Sequence, residues 1–176
     1  ATAFMTFLAA VQTLLHRYTH QDDLCIGTPI ANRNRAELEN LIGLFVNTLV
    51  LRADLSGDPT FRDLLKRVRG VTLDAYAHQD VPFEMVVNAV QPERDLRYTP
   101  LFQVMFTLQN AANQTITLPG LEFEHLDIES GLAMFDLTLT LTETVAGWLG
   151  NLEYNTDLFD ATTIARMIGH WQTLLA

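Results

Sequence analysis

Residues 78–84 read HQDVPFE, which puts a histidine, an aspartate and a glutamate within seven positions. His78 beside Asp80 is a pair that proton transfer can use: an imidazole that titrates near neutrality and a carboxylate to orient it. The same two side chains can instead bond backbone groups and cap a turn between helices. Local physics accounts for the rest of the stretch as a helix start. Val81 precedes a proline and is pushed out of the helical region. Pro82 suits the first helical position, where its missing N–H costs nothing. Glu84 falls in the first turn, where negative charge suits the helix dipole. Phe83, Val86, Val87 and Val90 then repeat at i, i+3, i+4 and i+7. Only His78 and Asp80 are left without a local need.

Two further polar residues stand out. Asn47 and Thr48 interrupt LFVNTLVLR, residues 44–52, which is apolar on both alternating phases. Phe45, Leu49 and Leu51 make one phase; Leu44, Val46 and Val50 make the other. A strand covered on both faces has this pattern. A buried amide needs hydrogen-bond partners, so Asn47 either bonds a neighbouring loop or lines a tunnel or pocket. Arg94 and Asp95 form either a buried ion pair or part of a solvated loop.

Other chemistries find little support. Histidines 16, 20, 78, 125 and 170 never fall as HxxxH or HxH, so metal ligation has no spacing to rest on. Neither GxGxxG nor GxxxxGK[ST] is present, nor a GxSxG elbow. Cys25, the one cysteine, lies within LCIG and is expected to be a small buried hydrophobe. Asn113-Gln114-Thr115 matches a glycosylation acceptor, discounted without a secretion signal.

The composition is globular: 48% apolar and 18% charged over 176 residues. A net charge of −10 repels phosphate backbones and acidic membranes, so neither nucleic acid nor membrane is an expected partner. No apolar run of about 18 residues exists, and the expected location is the cytoplasm. The chain starts abruptly in a helical pattern, without a recognisable cap or an initiating methionine, as a piece of something longer would.

The elements that must position these residues follow from periodicity. Phe4, Leu8, Val11, Leu15 and Tyr18 lie at helical spacing, with Phe7 and Leu14 alongside. LCIGTPIA predicts a buried strand, NRNRAELENLIG a loop with one helical turn, and 44–52 a second strand. SGDPTFRDLL predicts a helix start with Asp58 as its cap and a stripe of Phe61, Leu64, Leu65 and Val68 running to about Tyr76. LFQVMFTLQ is a strand candidate and NAANQTITLPG a loop. LEFEHLDIE alternates imperfectly, as a bulge would make it. MFDLTLTLTE and WLGNLEY alternate cleanly and are expected to pair as a hairpin across TVAG. Asp160 caps a last helix carrying Ile164, Ile168, Trp171 and Leu175. The expected class is α/β, with a mixed and largely antiparallel sheet flanked by helices.

Three ordered stretches resemble one family, the condensation domains of nonribosomal peptide synthetases. IGLFVNTLVLR, residues 42–52, resembles its I/V-G-x-F-V-N-T motif, and HQDVPFE its H/N-Q-D-Y/V-P-F-E motif. RDLRYTPL, residues 94–101, is similar to R-D-x-S-R-N-P-L, departing at Arg97, Tyr98 and Thr99. GTPIANRNRAELENLIG and LEYNTDLFD are also similar, so the likeness spans essentially the whole chain. It implies a chloramphenicol-acetyltransferase-like fold of two lobes with a reaction tunnel between them. Carrier-protein domains would deliver phosphopantetheine thioesters from both ends, and no cofactor would bind this chain directly.

The family's H-H-x-x-x-D-G motif, whose second histidine is usually assigned to catalysis, has no match here. The resemblance therefore implies that residues 1–176 are the carboxy-terminal lobe, with no catalytic residue of their own. Its expected partners are the amino-terminal lobe, carrier-protein domains and an adjacent adenylation domain. Asn47 and Thr48 become tunnel candidates; His78, Gln79, Asp80, Arg94 and Asp95 become motif residues. The loop from Gly27 to Glu39 would pass under the active site, and residues from about 121 to 155 would include a segment reaching to the other lobe. An epimerisation or heterocyclisation relative and a non-catalytic docking module are the alternatives. Carriers are often acidic, which makes clustering among Arg33, Arg35, Arg62, Arg67 and Arg94 a question for the structure.

Overall fold

A computed structural model describes residues 1–91, 98–109, 121 and 131–176. The elements, in chain order, are α1 (Ala3–Thr19), β1 (Asp23–Ile30), the single turn α2 (Ala36–Glu39), β2 (Asn47–Asp54), α3 (Phe61–Ala77), α4 (Phe83–Val90), β3 (Val104–Gln109), β4 (Leu137–Thr144), β5 (Gly147–Tyr154) and α5 (Ala161–Leu175). The strands form one sheet in the order β2-β1-β3-β4-β5. β1 pairs antiparallel with β2, and β4 with β5; the pairings of β3 with β1 and with β4 are parallel. The expected mixed α/β sheet is thus present. The β4–β5 hairpin forms where alternation placed it, with Thr144 opposite Gly147.

Alternate side chains of a strand point to opposite sheet faces, and the two faces here are filled differently. One carries the main core. Leu24 and Ile26 of β1, Leu51 and Ala53 of β2, Phe106 of β3, and Leu137 and Leu141 of β4 meet apolar residues of α1, α3 and α5. Phe106 is fully buried and its ring lies 5.4 Å from that of Phe4. On the other face Phe102 presses against Gly27 so closely that a Cβ there would stand 2.3 Å from the Phe102 ring. Phe102 also touches the rings of Phe83 and Phe135, at 5.7 and 5.3 Å. A glycine in mid-strand admits this aromatic cluster.

Several local expectations shift. α1 does have a cap: the Thr2 hydroxyl accepts the Met5 N–H at 3.3 Å. α3 is capped by Thr60, not Asp58. The Thr60 hydroxyl accepts the Asp63 N–H at 3.2 Å and donates to the Asp63 carboxylate at 2.7 Å. Asp58 takes a left-handed φ of 47° ahead of the helix; both residues are good caps, and only Thr60 stands three residues before a free N–H. Pro82 is the N-cap of α4, one position earlier than expected. β2 begins at Asn47, so the doubly apolar phase of 44–52 mixes a loop with a strand. Leu44 is 91% exposed and Val46 58%, whereas Leu49, Leu51 and Ala53 are buried. Cys25 is half-buried on the second face, where desolvation and then the Asp23 carboxylate push its thiol up, away from a reactive thiolate. LEFEHLDIE past Leu121, the glycosylation match at 113–115, His125, Arg94 and Asp95 lie outside the described residues.

Candidate functional site

Of the polar residues singled out in the sequence, Asn47, Thr48, Gln79 and Asp80 come together at the start of β2. Strand pairing with β1 fixes Asn47 opposite Ile30 and Thr48 opposite Pro29. From there the Asn47 amide reaches the turn between α3 and α4 and uses both of its ends. Its Nδ2 donates to the Gln79 carbonyl at 2.9 Å and to the Val81 carbonyl at 2.8 Å. Its Oδ1 accepts the Thr48 N–H at 2.9 Å and the Phe83 N–H at 3.1 Å. An amide can make about four hydrogen bonds, and Asn47 makes all four.

Each bond satisfies a group that the local chain leaves open. Pro82 offers no capping side chain to α4, and the first N–H groups of a helix lack intrahelical partners. Asn47 Oδ1 supplies that acceptor to Phe83 from a strand 36 residues away. Only an amide of this length donates twice and accepts twice here. Aspartate lacks the donors, glutamine carries an extra methylene, and leucine, though similar in size, lacks every polar atom.

His78 ends α3 as its C-cap residue, and its Nδ1 pairs with the Asp74 carbonyl at 2.9 Å. Asp80 accepts from the Asn34 amide at 3.4 Å. The base-and-orienter reading of His78 and Asp80 is therefore replaced by two separate structural contacts, because the turn aims the pair at different partners. Gln79 contributes its backbone carbonyl. Thr48, Asp80 and Glu84 line a cavity of about 220 Å³ together with Asn32, Phe45 and Asn47.

The loop before β2 is tied in by a residue whose local role the sequence does not reveal. Arg33 donates to the carbonyls of Leu38 and Gly43, the latter at 3.1 Å, and its guanidinium stacks 4.3 Å from the Phe45 ring. It is thus spent inside the loop and is not a free surface cation. The sole clue is the spacing of arginine and phenylalanine, which is no motif. Arg94 and Asp95 cannot be placed, lying outside the described residues. Among the described residues no cluster of three His, Cys, Asp or Glu could hold a metal, and no helix is long and apolar enough to cross a membrane.

The arrangement fixes the backbone of the α3–α4 turn against the start of β2, beside the cavity that Thr48 lines. Known proteins share this framework. The sequence is 56% identical over 178 residues to one of the linear gramicidin synthase polypeptides of Brevibacillus parabrevis, covering 100% of this chain and 2% of that protein. The chain spans only 2% to 4% of the length of the curated relatives it matches. The fold superposes with a TM-score of 0.89 on a four-domain nonribosomal peptide synthetase crystallised with AMP and glycine. That match is 29% identical and covers 99% of this chain and 14% of the other. It superposes with a TM-score of 0.84 on the X-domain in its complex with OxyB from teicoplanin biosynthesis. There the identity is 32%, over 99% of this chain and 39% of that one. Since the profile of the Condensation domain family matches residues 1–176 from first to last, the chain belongs to the condensation-domain family.

Proposed function

We propose that residues 1–176 are the carboxy-terminal lobe of a condensation domain in a nonribosomal peptide synthetase, and that they form one wall of its reaction tunnel. In that tunnel an acceptor amine on one carrier attacks the thioester carbonyl on the other. The C–N bond forms as the C–S bond breaks, and the donor's phosphopantetheine thiol leaves. Phosphopantetheine arrives as part of the substrates, on carrier-protein domains. The proton-handling histidine belongs to the amino-terminal lobe. Coverage supports a part of a domain, since 99% of this chain superposes on 39% of the X-domain chain, and the choice of the carboxy-terminal lobe rests on the motif resemblance at residues 42–52, 78–84 and 94–101.

The site geometry supports the same reading. His16 bonds the Gln21 carbonyl, His78 the Asp74 carbonyl and His170 the Tyr18 hydroxyl. None of these three faces the cavity beside Thr48. Asn47 holds the 42–48 and 78–84 stretches as one unit, and Thr48 is the side chain of that unit placed to face substrate. The exposed Ile42, Leu44 and Val46 are the surface offered to the amino-terminal lobe. An adenylation domain is the expected neighbour further along the polypeptide.

The test is single-turnover condensation with loaded donor and acceptor carriers. The intact domain forms product and residues 1–176 alone form none; product from the fragment alone contradicts the reading. A second reading, a docking module without catalysis, draws on the likeness to the X-domain found in complex with OxyB. It requires that the intact domain fail in the same assay while still binding a partner protein.

A further inference from the structure

We propose that the outer face of α3 is a docking surface for an acidic face of another domain in the same polypeptide. This rests on the reading of the chain as part of a multidomain synthetase. α3 turns Leu64, Val68 and Thr72 inward. On the opposite side Arg62, Lys66, Arg69 and Leu73 recur at i, i+4, i+7 and i+11, and all four are exposed. They make a single stripe, about 10 Å from Arg62 to Arg69 at 1.5 Å rise per residue. In a chain of net charge −10 with 11 basic residues, four of those residues lie on this one helix.

Half of that charge is available. Arg67, off the stripe, donates to the backbone carbonyls of Asp54 and Ser56, and Lys66 pairs with Asp63 at 2.8 Å. Arg62 and Arg69 have no ion pair among the described residues. Helix stability does not explain the stripe. Arg62 sits in the first turn, where the dipole disfavours a cation, and the last turn holds no base. Solubility does not need it either, in a protein already strongly charged.

Arg62 and Arg69, with the Asp63-paired Lys66 between them and the 44% exposed Leu73 beyond, match a carboxylate-bearing protein surface with one apolar side chain. A nucleic acid fits less well, because an extended polyanion would run onto the acidic remainder of the molecule. Charged docking of this kind sets encounter rate and register, and weakens with salt.

Lys66 is the only lysine in residues 1–176, so a link to lysine found in a peptide of this segment reports this surface. Zero-length carbodiimide coupling on the intact synthetase, read by peptide mass spectrometry, joins Lys66 to any carboxylate in bonding contact. The expected product links Lys66 to an aspartate or glutamate of another domain in the same polypeptide. Its yield falls at least about fivefold between roughly 0.05 and 0.5 M salt, and as far in the Arg62→Glu/Arg69→Glu variant. That variant should melt no lower, since Arg62→Glu suits the helix dipole. Should it fail to fold, the wild-type link and its salt dependence decide alone. Coupling only to Asp63, or only to a second copy in an isotope-mixed sample, overturns the proposal. If the same synthetase still condenses its substrates, the docking surface falls and the functional reading stands.

Discussion

The core and the start of β2 are built on different principles. The face under α1, α3 and α5 is held by many interchangeable apolar contacts. At the start of β2 the structure depends on one side chain, Asn47, three of whose four bonds span 32 to 36 residues of sequence. Dispersion and burial are roughly additive and forgiving of shape. A polar knot is directional, and removing its centre leaves every partner without a mate. Two of the stretches that resemble the family motifs, residues 42–52 and 78–84, are joined by this knot, which tightly constrains the residue type at Asn47.

The comparison is broken most severely from the core side. Phe106→Ala is expected to cost about 3–5 kcal/mol and to lower the melting temperature of the whole unit cooperatively. A loss under about 1 kcal/mol in denaturant titration would mean that this face is not the principal core. Next comes Asn47→Ala, expected to cost roughly 1–3 kcal/mol because it strands two carbonyls and two N–H groups. Asn47→Asp should be at least as harmful, since it turns a carboxylate toward the carbonyls of Gln79 and Val81. Equal stability of Asn47→Leu and wild type would reduce the knot to mere packing. In the intact domain both polar substitutions should lower condensation more than they lower melting.

Smaller effects sharpen the same contrast at helix ends. Thr60→Ala removes the α3 cap and should cost about 1 kcal/mol, with no effect on the knot at the other end of that helix. For α5, the Thr162 hydroxyl and then the Thr163 N–H hold the Asp160 carboxyl below its ordinary value of 3.8. A carboxylate depressed in the folded state contributes stability that is full above its unfolded pKa and is lost as pH falls through the folded one. Acid titration of melting should therefore show a loss below about pH 4, shared with Asp23, Asp54 and Asp63, that Asp160→Asn makes smaller; an unchanged acid limb would exclude the cap as a contributor.

The core is far more legible in the sequence than the knot at the start of β2. Periodicity locates α1, α3, α5 and the β4–β5 hairpin because burial repeats at 3.6 or 2 residues. It fails where Leu44 and Val46 look like a strand phase yet stand exposed in a loop. Exposed apolar residues have the same identities as buried ones, so composition alone does not separate them. Asn47 is marked by its apolar neighbours, but its partners are backbone groups of Gln79, Val81 and Phe83. Backbone groups leave no trace in residue identity. The same blindness makes His78 and Asp80 look like a pair: adjacency in sequence says nothing of where a turn aims two side chains. Arg33 reads as a surface cation and proves to be a loop tie, while the true clustering of basic charge needs the helical face of α3 to become visible.

The central claim is that Asn47 fastens the β2 start to the α3–α4 turn. Residue-resolved amide hydrogen exchange tests it most directly, because the Thr48 and Phe83 N–H groups both bond Asn47 Oδ1. In Asn47→Ala those two amides should lose protection by about tenfold or more, while amides of the core strands near Leu51 and Phe106 keep theirs. Unchanged protection at Thr48 and Phe83 would contradict the account.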